Sequence, residues 1–217
     1  ILDVGCGTGV IALELLRMGY GVHGVDISSE MIHLAEKAIV SSGADSRRCS
    51  FSVSNISELE LTANSFDAVL ALGFIEYQEN PIEMLSIFRM LLRPEGVVVI
   101  SSPLPLQIAN WMGLLSTAQR IKKKCTSMIV RDKLSDQVTT SEVSINRYNL
   151  RNLARLLNLS GFTVIDNVHH GFADIFPFDR LLPLSWNFMI HKILSRYAGL
   201  VSLDNFANNL IVVARKK

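Results

Sequence analysis

The stretch ILDVGCGTG, residues 1–9, constrains this chain more than any other. Its opening reads as a short buried strand, and Gly5, Gly7 and Gly9, spaced two apart, turn that strand into a helix. Glycine lets bare backbone approach a neighbour because no Cβ stands in the way. A strand that ends on such a turn and opens a helix N-terminus is a place where a ligand can meet the main chain. The same turn also serves plain strand-to-helix packing, so the motif by itself leaves both uses open.

Short apolar strands alternate with amphipathic helices as far as residue 102, which predicts an α/β fold: a parallel sheet with helices on both faces. After ILDV, a helix is expected over Thr8–Met18, with Val10, Ile11, Leu13, Leu16 and Met18 as its apolar stripe and Gly19 as its stop. GVHGVD forms the second strand and ends on Asp26. Ser28 or Ser29 caps the next helix, whose apolar positions are Met31, Ile32, Ala35, Ala38 and Ile39. CSFSVS and FDAVLAL supply two more strands. Asn80, Pro81 and Glu83 mark a helix start by cap, first-turn proline and capping box, and Leu85, Phe88, Leu91 and Leu92 form its buried face. RPEG, residues 93–96, turns the chain into VVVISS. A helix over about 149–160, the strand FTVIDNV and the strand NLIVVA complete the pattern.

Two segments, 103–147 and 171–207, break this rhythm. Both are apolar with basic flanks: Trp111, Met112 and Leu115 precede Arg120 and Lys122–Lys124, and Phe176, Phe178, Trp186 and Phe188 lie beside Arg180, Lys192 and Arg196. The expected organisation is one domain over 1–217, with the two segments as insertions that form a lid and the substrate region. The mean hydropathy of +0.30 is high for a soluble chain. They either cover the sheet edge or touch a membrane surface or a lipid-linked substrate, as basic amphipathic helices can.

With 21 basic against 20 acidic residues, the totals give no sign of a nucleic-acid partner. Cys6, Cys49 and Cys125 are odd in number and far apart, which argues against a disulfide framework and a zinc site. No carboxylate–histidine constellation demands a metal. No apolar run reaches the ~18 residues of a membrane span, and no signal peptide is expected. The expected setting is cytoplasmic, with peripheral membrane contact as the sharper alternative.

Asp26 gives the glycine turn a ligand class. It ends the second strand, where a carboxylate can accept hydrogen bonds from both hydroxyls of a ribose. Sheets of this kind bind ligands at the carboxyl ends of their strands, near a switch point. A simple cap on the following helix is its plain structural alternative.

Taken in order, the segments resemble the class I S-adenosylmethionine (SAM)-dependent methyltransferases, in particular the ubiquinone-type O-methyltransferase branch. ILDVGCGTG is similar to the family's D-x-G-x-G-x-G motif, and VDIS followed by Met31 to its acidic strand end. SFDAVLALGFIEYQENP, FRMLLRPEGVVVISSP, YNLRNLARLLNLSGFTVI and NLIVVARKK resemble its later segments. The resemblance implies a Rossmann-like seven-stranded sheet in the order 3-2-1-4-5-7-6, with the last strand antiparallel. It implies SAM as cofactor. Gly5, Gly7 and Gly9 would wrap its methionine part, with Cys6 as a small loop residue. Asp3 would brace the turn or reach the amino group through water, and Asp26 would hold the ribose. Ile27 and Met31 would line the adenine, Asn55 and Ile56 would meet its edge, and Leu72 and Gly73 would lie beside the sulfonium. Asn55 stands where the family commonly has an acidic residue. The family also carries a helical segment ahead of its first strand, so the chain is expected to lack its N-terminal part.

The implied chemistry is in-line displacement of the methyl by a nucleophile on a small-molecule acceptor, with oxygen the leading choice. Glu76 and Tyr77, after the fourth strand, and His169 and His170, at the end of the sixth, are the candidates for a general base. Tyr77 stands where the ubiquinone-type enzymes often have histidine, which breaks a direct transfer of base or metal-ligand duty. His23, His33 and His191 read as structural or surface residues. Two readings compete: a non-catalytic SAM-binding module of the same fold, and an NAD-dependent oxidoreductase, against which the G-x-G-x-G spacing speaks. Oligomeric state has no signal in the sequence.

Overall fold

The computed structural model describes residues 1–104, 146–170 and 209–217. Seven strands are formed: β1 (Leu2–Val4), β2 (Val22–Asp26), β3 (Cys49–Val53), β4 (Phe66–Ala71), β5 (Leu92–Pro103), β6 (Phe162–His170) and β7 (Asn209–Lys216). They make one sheet in the order β3-β2-β1-β4-β5-β7-β6. The pairs β1–β2, β1–β4, β2–β3 and β4–β5 are parallel, and β5–β7 is antiparallel. The chain groups into two compact units, 1–104 with 146–168 and 209–217, and 105–145 with 169–208. The expectations for Trp111, Arg120–Lys124, Phe176–Phe188 and His191, including the lid and the membrane contact, fall outside the described residues. Among the described residues, no helix is long and apolar enough to cross a membrane.

Among the described residues four helices accompany the sheet: α1 (Val10–Arg17), α2 (Ser29–Ser42), α3 (Pro81–Leu91) and α4 (Leu150–Leu159). Side chains alternate across a strand, so Val22 and Val25 of β2 point to opposite faces. Val22 joins Ala12 and Leu16 of α1 and Ile39 of α2 in a small cluster. Val25 joins the larger core, where α3 contributes Met84, Leu85, Phe88 and Leu91, and α4 contributes Leu153 and Leu157. Helices therefore cover both faces.

Several local signals act as their chemistry dictates. Ser28, not Ser29, caps α2 by accepting from the Met31 N–H. Asn80 caps α3 with Pro81 at the first position, but Glu83 bonds the Asn80 side-chain amide rather than closing a full capping box. Other expectations are corrected. The α1 stripe is narrower than its sequence suggests: Ala12 and Leu16 are buried, whereas Val10, Ile11 and Met18 are exposed. A two-turn helix touches the sheet along one line four residues apart, and the remaining apolar side chains have nothing to pack on. RPEG is not a free turn but a bulge within β5. The register moves from Phe66↔Leu92 to Ala68↔Val97, and Glu95 takes up the excess at φ 64°.

Phe88 is fully buried at the centre of the larger core. Phe88→Ala should lower unfolding stability by about 3–5 kcal/mol through lost transfer energy and the cavity left behind. Urea denaturation of the two proteins measures it, with an unchanged slope if the fold persists.

Candidate active site

The carboxyl ends of β1, β2 and β4 meet around the glycine turn, and Asp26 ties the loops beside it. One of its carboxylate oxygens accepts from the Gly7 N–H and the other from the Ser28 N–H, both at 2.9 Å. Its backbone carbonyl accepts from the Ser54 N–H at 3.0 Å. The residue expected to hold a ribose thus also ties the loops after β1, β2 and β3 together. A carboxylate offers about four acceptor positions, so each oxygen keeps capacity for a ligand hydroxyl.

The glycine loop is largely satisfied from within. The Gly5 and Cys6 N–H groups both donate to the Val25 carbonyl, at 2.8 and 3.1 Å, and the Gly9 N–H donates to the Cys6 carbonyl. With Gly7 bonded to Asp26, four of the loop's N–H groups serve the protein itself. This is not a phosphate cradle, in which such groups point at the ligand. The glycines also differ in kind. A Cβ on Gly7 would meet nothing within 4 Å, so that stretch of backbone lies open. A Cβ on Gly9 would stand 2.8 Å from that of Ala35, so Gly9 serves the close packing of α1 on α2.

Two buried carboxylates lie at this edge. Asp3, in β1, is 3% exposed, and one of its oxygens has no hydrogen-bond partner. Burial, reinforced by the charge of Asp26, pushes its pKa up to about 6. Glu76 lies in the short 3-10 turn Ile75–Tyr77 that follows β4; it is 6% exposed and also has one unpartnered oxygen. Burial raises its pKa above the usual carboxylate value. Its neighbour Tyr77 is 51% exposed, so the turn sends the two candidates in opposite directions. Cys6 is buried, and desolvation with the Asp3 and Asp26 charges pushes its thiol up to about 12, which leaves it inert as a nucleophile near neutral pH.

Ile27 and Met31 project apolar surface beside Asp26, at 78% and 38% exposure, and Val53, which pairs with Asp26 across β2–β3, adds more. Asn55 spends its amide oxygen on the Ser57 N–H in a local turn, while Ile56 is sunk in the larger core. Leu72 is half-buried, and the Gly73 N–H donates to the Ser101 hydroxyl at 2.7 Å. His169 and His170 close β6, the outermost strand; the three spacings that separate β6 from β4 amount to about 14 Å across the sheet. His23 bridges Ser50 and Ser52 with its two ring nitrogens, a structural role between β2 and β3.

The sequence reading missed the segment 146–148, which crosses above the ends of β4 and β5. The Asn146 N–H donates to the Glu76 carbonyl at 2.8 Å, its amide to the Gln78 carbonyl, and the Tyr148 N–H to the Ser102 hydroxyl. Tyr148 lies near enough to Glu76 for that carboxylate's charge to add to the effect of burial in raising the phenol's pKa. The polar SS that ends VVVISS was the available signal. Among the described residues, no group of three or more His, Cys, Asp or Glu side chains could hold a metal ion.

A family model described as a methyltransferase domain matches residues 1–161. Ubiquinone biosynthesis O-methyltransferase of Actinobacillus pleuropneumoniae is 28% identical over 104 residues, 47% of this chain and 44% of that protein. The homonymous enzyme of Nitrosococcus oceani is 32% identical over 102 residues, 47% of this chain and 42% of its own. The chain thus spans less than half the length of these curated relatives. Among solved structures, a SAM-dependent methyltransferase from Methanosarcina mazei aligns with a TM-score of 0.61 at 22% identity, covering 99% of this chain and 91% of that one.

The Asp3 carboxylate makes stability depend on pH. Its folded pKa of about 6 lies above the ordinary 3.8, so the folded state binds the proton more tightly. The resulting stability is fully present below the ordinary value and is lost as pH rises through about 6. In an Asp3→Asn variant that loss disappears. The stability of the variant relative to the wild type should therefore grow by about 2.4 kcal/mol between pH 4 and pH 8. Urea unfolding at the two pH values checks both size and sign.

Proposed function

The chain belongs to the methyltransferase-domain family, and from that membership we propose that it is a SAM-dependent methyltransferase acting on a small-molecule acceptor. The observation that carries the reading is the charge of the site. The glycine loop spends its N–H groups on Val25, Asp26 and Cys6, while Asp3, Asp26 and Glu76 put carboxylates around it. A pyrophosphate would find few donors and much repulsion there. A nucleoside that carries positive charge finds partners: a ribose for Asp26, open backbone at Gly7, apolar surface at Ile27 and Met31 for a base, and unpartnered oxygens on Asp3 and Glu76 for cations.

Bound there, SAM supplies a methyl group on a positively charged sulfur, open to in-line displacement. The protein's part is mainly alignment, which can supply roughly 7–11 kcal/mol of the barrier. A general base adds typically 10²–10⁴-fold, or about 3–5.5 kcal/mol. Alignment is therefore the larger effect, and a weak base suffices. Of Glu76, Tyr77, His169 and His170, Glu76 is the one that the fold buries at the end of β4, and its raised pKa lets it hold a proton above the usual carboxylate range. Oxygen is the favoured acceptor atom, because the curated relatives are named as O-methyltransferases. A lipid-linked acceptor is the reading under which the apolar segments 103–147 and 171–207 acquire a use.

Calorimetric titration tests the assignment. SAM and S-adenosylhomocysteine (SAH) should both bind saturably, and NADH should not. Asp26→Ala should weaken both nucleosides by more than about tenfold, since hydrogen bonds to a charged group are worth about 1.5–3 kcal/mol each and the loop clamp is lost as well. Absence of binding by either nucleoside would overturn the reading.

A further inference from the structure

Asp3 and Glu76 each keep a buried carboxylate oxygen without a partner, and one strand boundary separates them. A group buried in this way is costly unless something neutralises it. Asp3 belongs to β1 and faces the start of the glycine loop. Glu76 belongs to the turn that follows β4. The β1–β4 register, Leu2↔Val69 and Asp3↔Leu70, carried three residues on sets Leu72 and Gly73 level with Gly5 and Cys6. The two loops touch: a Cβ on Gly5 would stand 3.1 Å from the Phe74 ring. Two residues beyond Phe74 the chain folds back, and a Glu76 carboxylate oxygen lies 3.9 Å from where a Gly73 Cβ would be. The Asn146 N–H holds the Glu76 backbone from above. The carboxylate is thus fixed under the turn that follows β4, while Asp26 fixes the ribose end of the site one strand beyond β1.

SAM carries two cationic centres, the ammonium of its amino-acid part and the sulfonium. The protein offers two buried carboxylates with unused oxygens. We propose that Glu76 recognises the sulfonium charge of the bound donor, so that the site distinguishes SAM from its neutral thioether product. Asp3 is left for the ammonium, which donor and product share. The proposal rests on the assignment of the site to SAM, and it gives Glu76 a role that a neutral side chain of the same size cannot fill.

The test is a set of affinities for SAM, SAH and sinefungin, whose amine puts a positive charge where SAM carries its methyl. They are measured by calorimetry on the whole chain for the wild type, Glu76→Gln, Glu76→Met and Asp26→Ala. Both Glu76 variants remove a carboxylate that burial penalises, and melting curves verify that they are folded. In Glu76→Gln the ratio of SAM to SAH affinity should shift about tenfold toward SAH, the size of one charge interaction in a partly desolvated site. Sinefungin should move with SAM, and Glu76→Met should do the same. Equal weakening of SAM and SAH would overturn the proposal, because Glu76 would then act on the shared ammonium. An unchanged ratio would overturn it too. In either case, if Asp26→Ala still weakened all three ligands, the SAM assignment would stand. Failure of the wild type to bind any of them would remove that assignment and the proposal with it.

Discussion

The geometry at the carboxyl edge of this sheet depends on one carboxylate. Asp26 accepts from Gly7 with one oxygen and from Ser28 with the other, and its carbonyl takes the Ser54 N–H. Hydrogen bonds to a charged acceptor are among the stronger ones a protein makes. Without them the loops after β1 and β2 would each present an N–H group with no protein partner. The clamp therefore shapes the loops before any ligand arrives, and the outward lone pairs of the same oxygens remain for the ligand. Preorganisation of this kind is where a site gains most, because no reorganisation is left for the moment of binding.

The clamp has an electrostatic consequence. Asp3, already desolvated, is pushed further toward its neutral form by the charge of Asp26. Glu76, buried at the neighbouring loop, meets the same desolvation. The edge of the sheet thus carries two carboxyl groups that burial stabilises poorly as anions. Such groups lower stability while they prepare a site for positive charge, a trade common where function and folding pull apart. Cys6, in the middle of this negative region, is correspondingly hard to ionise.

What could be read from the sequence was local, and what could not be read was a matter of competition. The Asn80–Pro81 helix start, the Ser28 cap and the positive-φ glycines act through neighbours in the chain, so their residue types suffice. The strand order required the resemblance, since no periodicity tells which strands lie side by side. Val10, Ile11 and Met18 were expected inside because α1 has more apolar residues than the sheet has room to cover. Asn55 was expected at the adenine edge; in the structure its amide oxygen accepts the Ser57 N–H two residues on, as short polar side chains in turns tend to do. Tyr148 lies 72 positions from Glu76 in the sequence, and only the fold brings them near.

Glu76 and Tyr77 show why function is harder to read than fold. As adjacent residues after a strand they were equal candidates, and a turn of three residues made one of them 6% and the other 51% exposed. The buried one gains a perturbed pKa, a fixed backbone and an unused oxygen; the exposed one gains solvent. Chemistry follows from that division rather than from residue type, because an ionisable group acquires direction and strength only where water is excluded around it. Tyr77 stands at the exposed position, and the carboxylate beside it in the chain is the one that burial perturbs.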